Sequence, residues 1–320
     1  MSSNLVAAWP YGIVCASDRR LVDLLSGRIR TNRSTKMTVF GCADAHGVIV
    51  YNGIGMDDEG LTPSDWLLEL AEKGKLFDCS LSEVLERVRT DSETRLRVIR
   101  AKYGPKKARH TFVFGVWNQG ASVVYGISNY ERVDEAHEAN EASETVTQSV
   151  SLSSKAQVRI VATGTHPPLA DLRAIAESIK TGSLNRVKAL CVKAVRDVAY
   201  GKGKAKGAVG ASSQWVALGA ERNQVSYGLD VVGGAIAQET PNLINIGAEV
   251  LLGGSLRARI GGPGMLVKDT YAGDEKAPNV AHYDSAMKTF VFGESQCGIC
   301  GAPWPASHRF CEVCLYERPK

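Results

Sequence analysis

The chain has 320 residues, of which 44% are hydrophobic and 22% charged, and its formal net charge is +4. This is the composition of an ordinary globular protein with room for one large core or two smaller ones. The mild charge gives no reason to expect nucleic-acid binding, and no apolar run is long enough to span a bilayer. The start of the chain lacks a signal-peptide pattern, so we expect a cytoplasmic protein without a membrane partner.

Strands and helices are predicted in blocks along the chain. Apolar and β-branched runs around turn signals predict hairpins, and apolar residues at helical spacing predict helices that begin at Thr62 and Ser80. Block order favours antiparallel sheets stacked against helices, so we predict an α+β fold with four layers, helix–sheet–sheet–helix. The predicted order is hairpin 4–16, hairpin 36–51, helices 62–101, hairpin 111–127, strand 158–162, helices 169–200 and hairpin 214–229.

Three stretches give weaker patterns. Residues 21–34 form a polar, Arg-rich connection, and the acidic, Ser/Thr-rich residues 131–154 predict a mobile or solvent-facing excursion. Residues 233–292 are Gly-rich and fit either a few short strands or a loosely packed linker. We therefore divide the chain into a main domain (2–232), a Gly-rich extension (233–292) and a small C-terminal module (293–320).

Ser2 lies directly behind the initiator Met1. A small second residue normally permits removal of Met1, which would leave a serine with both a hydroxyl and a free α-amine. Such an amine has an ordinary pKa of about 8 and can accept the hydroxyl proton, so the pair can act as nucleophile and base. The same sequence also fits an ordinary frayed chain start.

The C-terminal module carries four of the eight cysteines, in the pattern C-x2-C-x10-C-x2-C. This spacing is typical of a zinc ribbon, in which four thiolates hold a structural Zn²⁺ ion. A disulfide or redox motif is the alternative. A ribbon of this kind would serve as a docking element for a protein or nucleic-acid partner. The predicted ligands are Cys297, Cys300, Cys311 and Cys314.

The chain from Ser2 to about Val232 resembles the proteasome β-type subunits, including the proteolytic subunit of the simpler bacterial ATP-dependent protease. These belong to the N-terminal-nucleophile (Ntn) hydrolases. The family places its nucleophile at the mature N-terminus, and here that position is Ser2 where the family usually has Thr. The other matching positions are the run Gly12–Asp18, Lys36 at a strand start, the Gly-rich turn after Gly47–Tyr51, the turn Ala162–Thr165, and Asp197 near the end of a long helix.

The resemblance implies a role for each of these positions. The Ser2 hydroxyl would attack a carbonyl, its α-amine would be the base, and Lys36, paired with Asp18, would stabilise the developing negative charge. The N–H of Gly55 or Gly53 would face the oxyanion. Thr165 and Asp197 would hydrogen-bond near the amine and position it.

We therefore predict an Ntn hydrolase that acts on a peptide or amide bond. The resemblance is compatible with a homo-oligomer. The zinc-ribbon tail is expected to contact a protein partner. Two alternatives stay open from the sequence. The first is a catalytically silent proteasome-like scaffold that retains Met1 and functions through its zinc ribbon. The second is an amidohydrolase that acts on a small molecule.

Overall fold

The structure is a computed structural model. It describes residues 2–23, 28–31, 34–74, 79–134, 139–152, 158–180, 184–201, 209–219 and 225–230, together with four short strands between 242 and 267. The predicted C-terminal module (293–320) lies outside the described residues.

The described elements follow the predicted block order. The strands are β1 Ser3–Trp9, β2 Gly12–Asp18, β3 Leu21–Val22, β4 Ile29–Thr31, β5 Met37–Gly41, β6 Ala45–Asn52, β7 Thr111–Asn118, β8 Ala121–Ser128, β9 Thr147–Leu152, β10 Arg159–Gly164, β11 Ser213–Leu218, β12 Val225–Asp230, β13 Asn242–Ile244, β14 Glu249–Leu252, β15 Leu256–Arg259 and β16 Leu266–Val267. The helices are α1 Pro63–Gly74, α2 Leu81–Tyr103, α3 Leu169–Lys180 and α4 Leu184–Tyr200.

The strands form two large sheets. The first has the order β10-β1-β2-β11-β12-β14-β15, and the second has the order β16-β13-β5-β6-β7-β8-β9. Their pairings are antiparallel except for β12 with β14 and β5 with β13. The Gly-rich extension therefore contributes short strands to both sheets, and β3 pairs with β4 in a separate hairpin.

Three apolar clusters define the layers. The first lies between the two sheets and joins Val6 of β1 to Val48 of β6. The second joins the other face of the β6 sheet, through Phe114, to α1 and α2. The third joins the outer face of the β1 sheet, through Leu5, to α3 and α4. Alternate residues of β1, β2 and β6 thus pack into different clusters, and the layers run helix–sheet–sheet–helix.

The prediction of a mixed α/β fold with antiparallel sheets is confirmed. The helix starts also agree, since Ser80 caps α2 in a capping box, accepting a hydrogen bond from the Glu83 N–H while the Glu83 carboxylate accepts from Ser80. None of the helices in the described ranges is long and apolar enough to cross a membrane.

The prediction of a mobile or solvent-facing excursion at 131–154 is only partly right, because many described side chains between 141 and 150 are exposed but part of the segment is an ordered strand. Residues Thr147–Leu152 form β9, which pairs with β8 along its whole length, and Glu131 is buried. The polar composition of this segment did not indicate a strand because β9 lies at the edge of its sheet. An edge strand is held by hydrogen bonds to one neighbour and needs few apolar side chains.

Candidate active site

Ser2, Asp18 and Lys36 meet at one end of the space between the sheets. Ser2 directly precedes β1, Asp18 ends β2, and the antiparallel pairing of these strands brings the two residues together. Lys36 directly precedes β5 of the opposite sheet. Its Nζ atom lies 2.9 Å from Ser2 Oγ and 3.0 Å from Asp18 Oδ1, so the lysine bridges the hydroxyl and the carboxylate.

The Asp18 carboxylate is fully buried, and its two oxygens accept four hydrogen bonds. Oδ1 accepts from Lys36 Nζ and from the Ser3 N–H at 2.9 Å. Oδ2 accepts from the backbone N–H groups of Arg20 at 3.0 Å and Gly210 at 3.1 Å. A carboxylate has about four acceptor positions, so all of them are filled. This arrangement compensates the loss of water around a buried charge.

Burial and charge act in opposite directions on Lys36, whose side chain is 1% exposed. Burial lowers its pKa from the ordinary 10.5, while the nearby Asp18 carboxylate raises it, and the burial effect is the larger. The ammonium group is therefore easier to deprotonate than a surface lysine. It is also held in one place, since both Ser2 Oγ and Asp18 Oδ1 are within hydrogen-bond distance.

The two glycines of the predicted oxyanion turn are packed differently. Gly53 has a φ of 101°, and a Cβ atom there would lie 2.0 Å from the carbonyl oxygen of Arg109. Only glycine fits that backbone conformation and that space. Gly55 is partly buried, and a Cβ atom there would lie 3.1 Å from the carbonyl oxygen of Val22, at the end of β3. The turn is thus fixed between the β3 segment and the backbone before β7.

The turn after β10 contacts the backbone of Ser2. The Thr165 N–H donates to the Ser2 carbonyl oxygen at 2.8 Å. Gly164 has a φ of 75°, and a Cβ atom there would lie 2.2 Å from the same oxygen and 2.9 Å from Asn52 Oδ1. The close approach of this turn to the nucleophile's backbone therefore depends on glycine at position 164.

Asp197 is not brought to this group by any of its described contacts. Its carboxylate forms an ion pair with Lys193, one turn earlier on α4, and Lys193 also pairs with Asp171 of α3. These contacts stabilise the α3–α4 hairpin on the surface. The predicted positioning role of Asp197 stays a prediction without a described contact to Ser2.

Sequence reasoning missed three residues that hold the site. Gly210 supports Asp18, and Asn4 and Ser17 form a buried hydrogen-bonded pair beside it. The sequence predicts Asn4 only as part of a strand and Ser17 only as part of the run Gly12–Asp18. The available signal was their polarity, since a polar residue inside a buried strand must find a hydrogen-bond partner.

The four predicted zinc ligands, Cys297, Cys300, Cys311 and Cys314, lie outside the described residues. Within the described ranges, no cluster of three or more His, Cys, Asp or Glu side chains could hold a metal ion. Binding of Zn²⁺ by the four cysteines stays a prediction from their spacing alone.

No protein-family model matches the chain, and no curated protein sequence matches it. Three solved structures similar to this chain are Anbu proteins. The one from Yersinia bercovieri, described as an ancestral beta-subunit, is 13% identical, covers 70% of this chain and 86% of its own, and has a TM-score of 0.47. A mutant from Hyphomicrobium sp. strain MC1 is 11% identical, with 68% and 82% covered and a TM-score of 0.44.

The third structure is a helical assembly of the Anbu complex from Pseudomonas aeruginosa. It is 16% identical, covers 68% of this chain and 81% of its own, and has a TM-score of 0.44. At such low identities, the roles of residues in this chain rest on its own geometry.

The prediction of a proteasome β-type subunit ending in a zinc ribbon is wrong. The similar structures are of Anbu proteins, and nothing in the described part of the chain supports a ribbon. The resemblance rests on the order of strands and helices along the chain and on residues at their ends. These are features of a fold, and one fold can serve proteins with different functions.

Proposed function

We propose that the protein is a hydrolase of peptide or amide bonds with Ser2 as its nucleophile, exposed when Met1 is removed. The observation that carries the proposal is the 2.9 Å hydrogen bond from Lys36 Nζ to Ser2 Oγ. A buried ion pair that ends on a serine hydroxyl at the start of a strand is costly for stability alone. Buried charges held against a hydroxyl are typical of nucleophile activation.

In the proposed reaction, the Ser2 α-amine takes the hydroxyl proton as Oγ bonds to the substrate carbonyl carbon. The carbonyl oxygen gains the negative charge, and the Gly53–Gly55 turn supplies N–H groups toward it. The carbon–nitrogen bond then breaks, and the leaving amine takes the proton from the α-ammonium. A water molecule hydrolyses the resulting ester by the same steps and regenerates Ser2.

Lys36 and Asp18 would act together in this scheme. The positive charge of Lys36 stabilises negative charge on Oγ and lowers the pKa of the α-amine, which increases the unprotonated fraction at neutral pH. Asp18 keeps Lys36 in place through the 3.0 Å ion pair. Since Asp18 also accepts the Ser3 N–H, it fixes the first peptide unit after the nucleophile.

The test has two measurements on the full chain. Intact mass and N-terminal sequencing show whether Met1 has been removed. A serine-reactive fluorophosphonate or β-lactone probe, followed by peptide mapping, then reports the labelled residue. We expect one label, on Ser2, with labelling lost in Ser2→Ala.

Ser3→Ala is the matched control. Ser3 is a buried neighbouring serine whose hydroxyl has no hydrogen-bond partner among the described residues. Its replacement should leave labelling of Ser2 unchanged. Complete retention of Met1, or equal labelling of Ser2→Ala, would contradict the proposal and favour a catalytically silent scaffold.

Self-association is part of the proposed function. The Pseudomonas protein is described as a helical assembly, and the edge strands β9 and β10, each paired on one side among the described strands, give this chain surfaces on which copies could pair. Light scattering coupled to size-exclusion chromatography measures the mass in solution. A mass of one chain at all concentrations would exclude an assembly.

A further inference from the structure

We propose that Asn4 is a positioning residue that couples the nucleophile to the oxyanion turn across the two sheets. The inference rests on the proposed function, since it names a residue that aligns that same site. Asn4 lies two residues after Ser2 on β1. Its side-chain Nδ2 donates to the carbonyl oxygen of Tyr51 at 2.7 Å, and Tyr51 lies two residues before Gly53 on β6.

This hydrogen bond joins residues that are far apart in the chain and belong to different sheets. Ser2 is fixed to the first sheet by the bond from Thr165 to its carbonyl oxygen. The oxyanion turn is fixed to the second sheet by its own strand. The distance between attacking oxygen and oxyanion donors is therefore set by how the two sheets are held together at this end.

A second hydrogen bond fixes the direction of the Asn4 amide. The Ser17 hydroxyl lies 2.5 Å from Asn4 Oδ1 and donates to it. Because one end of the amide is held as acceptor, the other end must present its N–H groups to Tyr51 and, at 3.4 Å, to Thr163 Oγ1. Ser17 directly precedes Asp18, so the same strand end fixes the carboxylate and the amide.

All of these groups are buried, with Asn4 only 1% exposed. Water cannot easily replace a lost partner there, so breaking the bond leaves the Tyr51 carbonyl unsatisfied and lets the sheet ends shift. A displacement of about 1 Å at a reacting centre can reduce a rate about 100-fold. The described side-chain contacts of Asn4 are with Tyr51, Thr163 and Ser17 rather than with the Ser2 hydroxyl, so Asn4 acts through position.

The other end of β1 offers a matched control. There the Ser122 hydroxyl of β8 donates to the Trp9 carbonyl oxygen at 2.8 Å, and this bond also joins the two sheets. Ser122 is as buried as Asn4, but it lies at the opposite end of β1 from Ser2. Loss of either bond should lower stability, whereas only loss of the Asn4 bond should alter the reactivity of Ser2.

The experiment compares Asn4→Leu, Ser17→Ala and Ser122→Ala with the unaltered full chain. The second-order rate of fluorophosphonate labelling at Ser2 is measured well below each variant's melting temperature, which circular dichroism supplies. We expect labelling to slow by about 10- to 100-fold in Asn4→Leu, by a few-fold in Ser17→Ala and by less than twofold in Ser122→Ala. Ser17→Ala carries the test if Asn4→Leu does not fold.

Three outcomes would separate the inference from the proposed function. Failure of the unaltered chain to label at Ser2 overturns the proposed function itself. Labelling of folded Asn4→Leu at the unaltered rate overturns the positioning role alone. Equal slowing in Ser122→Ala and Asn4→Leu would show that the effect follows stability and would also overturn the inference.

Discussion

Hydrogen bonds join the two sheets at both ends of the space between them, and among the described ion pairs the buried one lies at the Ser2 end. At the end away from Ser2, Ser122 Oγ lies 2.8 Å from the Trp9 carbonyl oxygen and His46 Nε2 lies 3.2 Å from that of Gly219, and both contacts join the sheets. At the Ser2 end, the Asn4 bond is accompanied by the buried ion pair of Lys36 and Asp18. A hydrogen bond from an uncharged group such as the Ser122 hydroxyl can therefore tie the sheets together.

This difference bears on the role proposed for the ion pair. Removing two charges from water commonly costs more than their attraction returns, and apolar replacements are often equally stable. The hydrogen bonds to the Asp18 carboxylate reduce the free-energy cost of burying the ion pair, but they do not make its burial favourable. The proposed activation of the Ser2 hydroxyl would account for a buried charge that stability alone does not favour.

The largest effect is expected from Asp18→Ala. This change leaves the buried Lys36 charge without its partner and removes the acceptor for three backbone N–H groups. We expect a loss of about 3–5 kcal/mol in the free energy of unfolding, and loss of labelling at Ser2. Denaturant unfolding measures the first and the fluorophosphonate probe the second.

Lys36→Met separates the effect on stability from the effect on labelling. It leaves Asp18 with its backbone donors, so its cost in stability should be smaller, while labelling should still be lost. Ser122→Ala at the other end should cost about 1 kcal/mol, the usual value for one hydrogen bond. An Asp18→Ala protein as stable as Ser122→Ala would remove the distinction between the two ends.

The next effect is on how the free energy of unfolding changes at acid pH, through the buried side chain of His110. His110 is packed among the rings of Tyr51, Trp66 and Phe112, and its ring nitrogens have no partner among the described residues. Burial lowers its pKa to about 3 from the ordinary 6.5. Between these values the unfolded chain binds a proton that the folded chain does not, so stability falls as pH falls from about 6.5 toward 3.

His110→Phe should remove this contribution. The difference in unfolding free energy between the unaltered chain and the variant should change by about 1.4 kcal/mol per pH unit within that window. Phe112→Leu is the control, since it disturbs the same aromatic cluster without removing a titrating group. A difference that does not vary with pH would show that His110 is not responsible for acid sensitivity here.

Much of the structure around Ser2 could be predicted from the sequence. There is a physical reason why the rest could not. Strand patterns place Ser2, Asp18 and Lys36 near strand ends, and only the resemblance to proteasome β-type subunits groups them into one site. Gly210 bonds to Asp18 across 192 positions of sequence, and no local pattern reports such a contact. Asn4 likewise bonds to a residue of the other sheet, so its polarity within a buried strand was the one sequence signal of that contact.

The smallest difference between a variant and its control is expected at the turn that contacts Ser2. Gly164→Ala requires a positive φ of 75° and places a methyl group 2.2 Å from the Ser2 carbonyl oxygen. Gly120→Ala, in the turn between β7 and β8, requires almost the same φ of 78° but has no atom within 4 Å of its added Cβ. The two variants therefore share the backbone cost and differ only in the steric contact.

Each alanine should lose about 1–2 kcal/mol through its backbone conformation, and Gly164→Ala should lose about 1–3 kcal/mol more through the contact. The extra loss must be relieved by moving either β10 or the first residues of β1. Because Thr165 donates to the same Ser2 oxygen, both movements displace the nucleophile. Labelling should therefore slow in Gly164→Ala and stay unchanged in Gly120→Ala, and equal stability and labelling in both would show that the turn does not position Ser2.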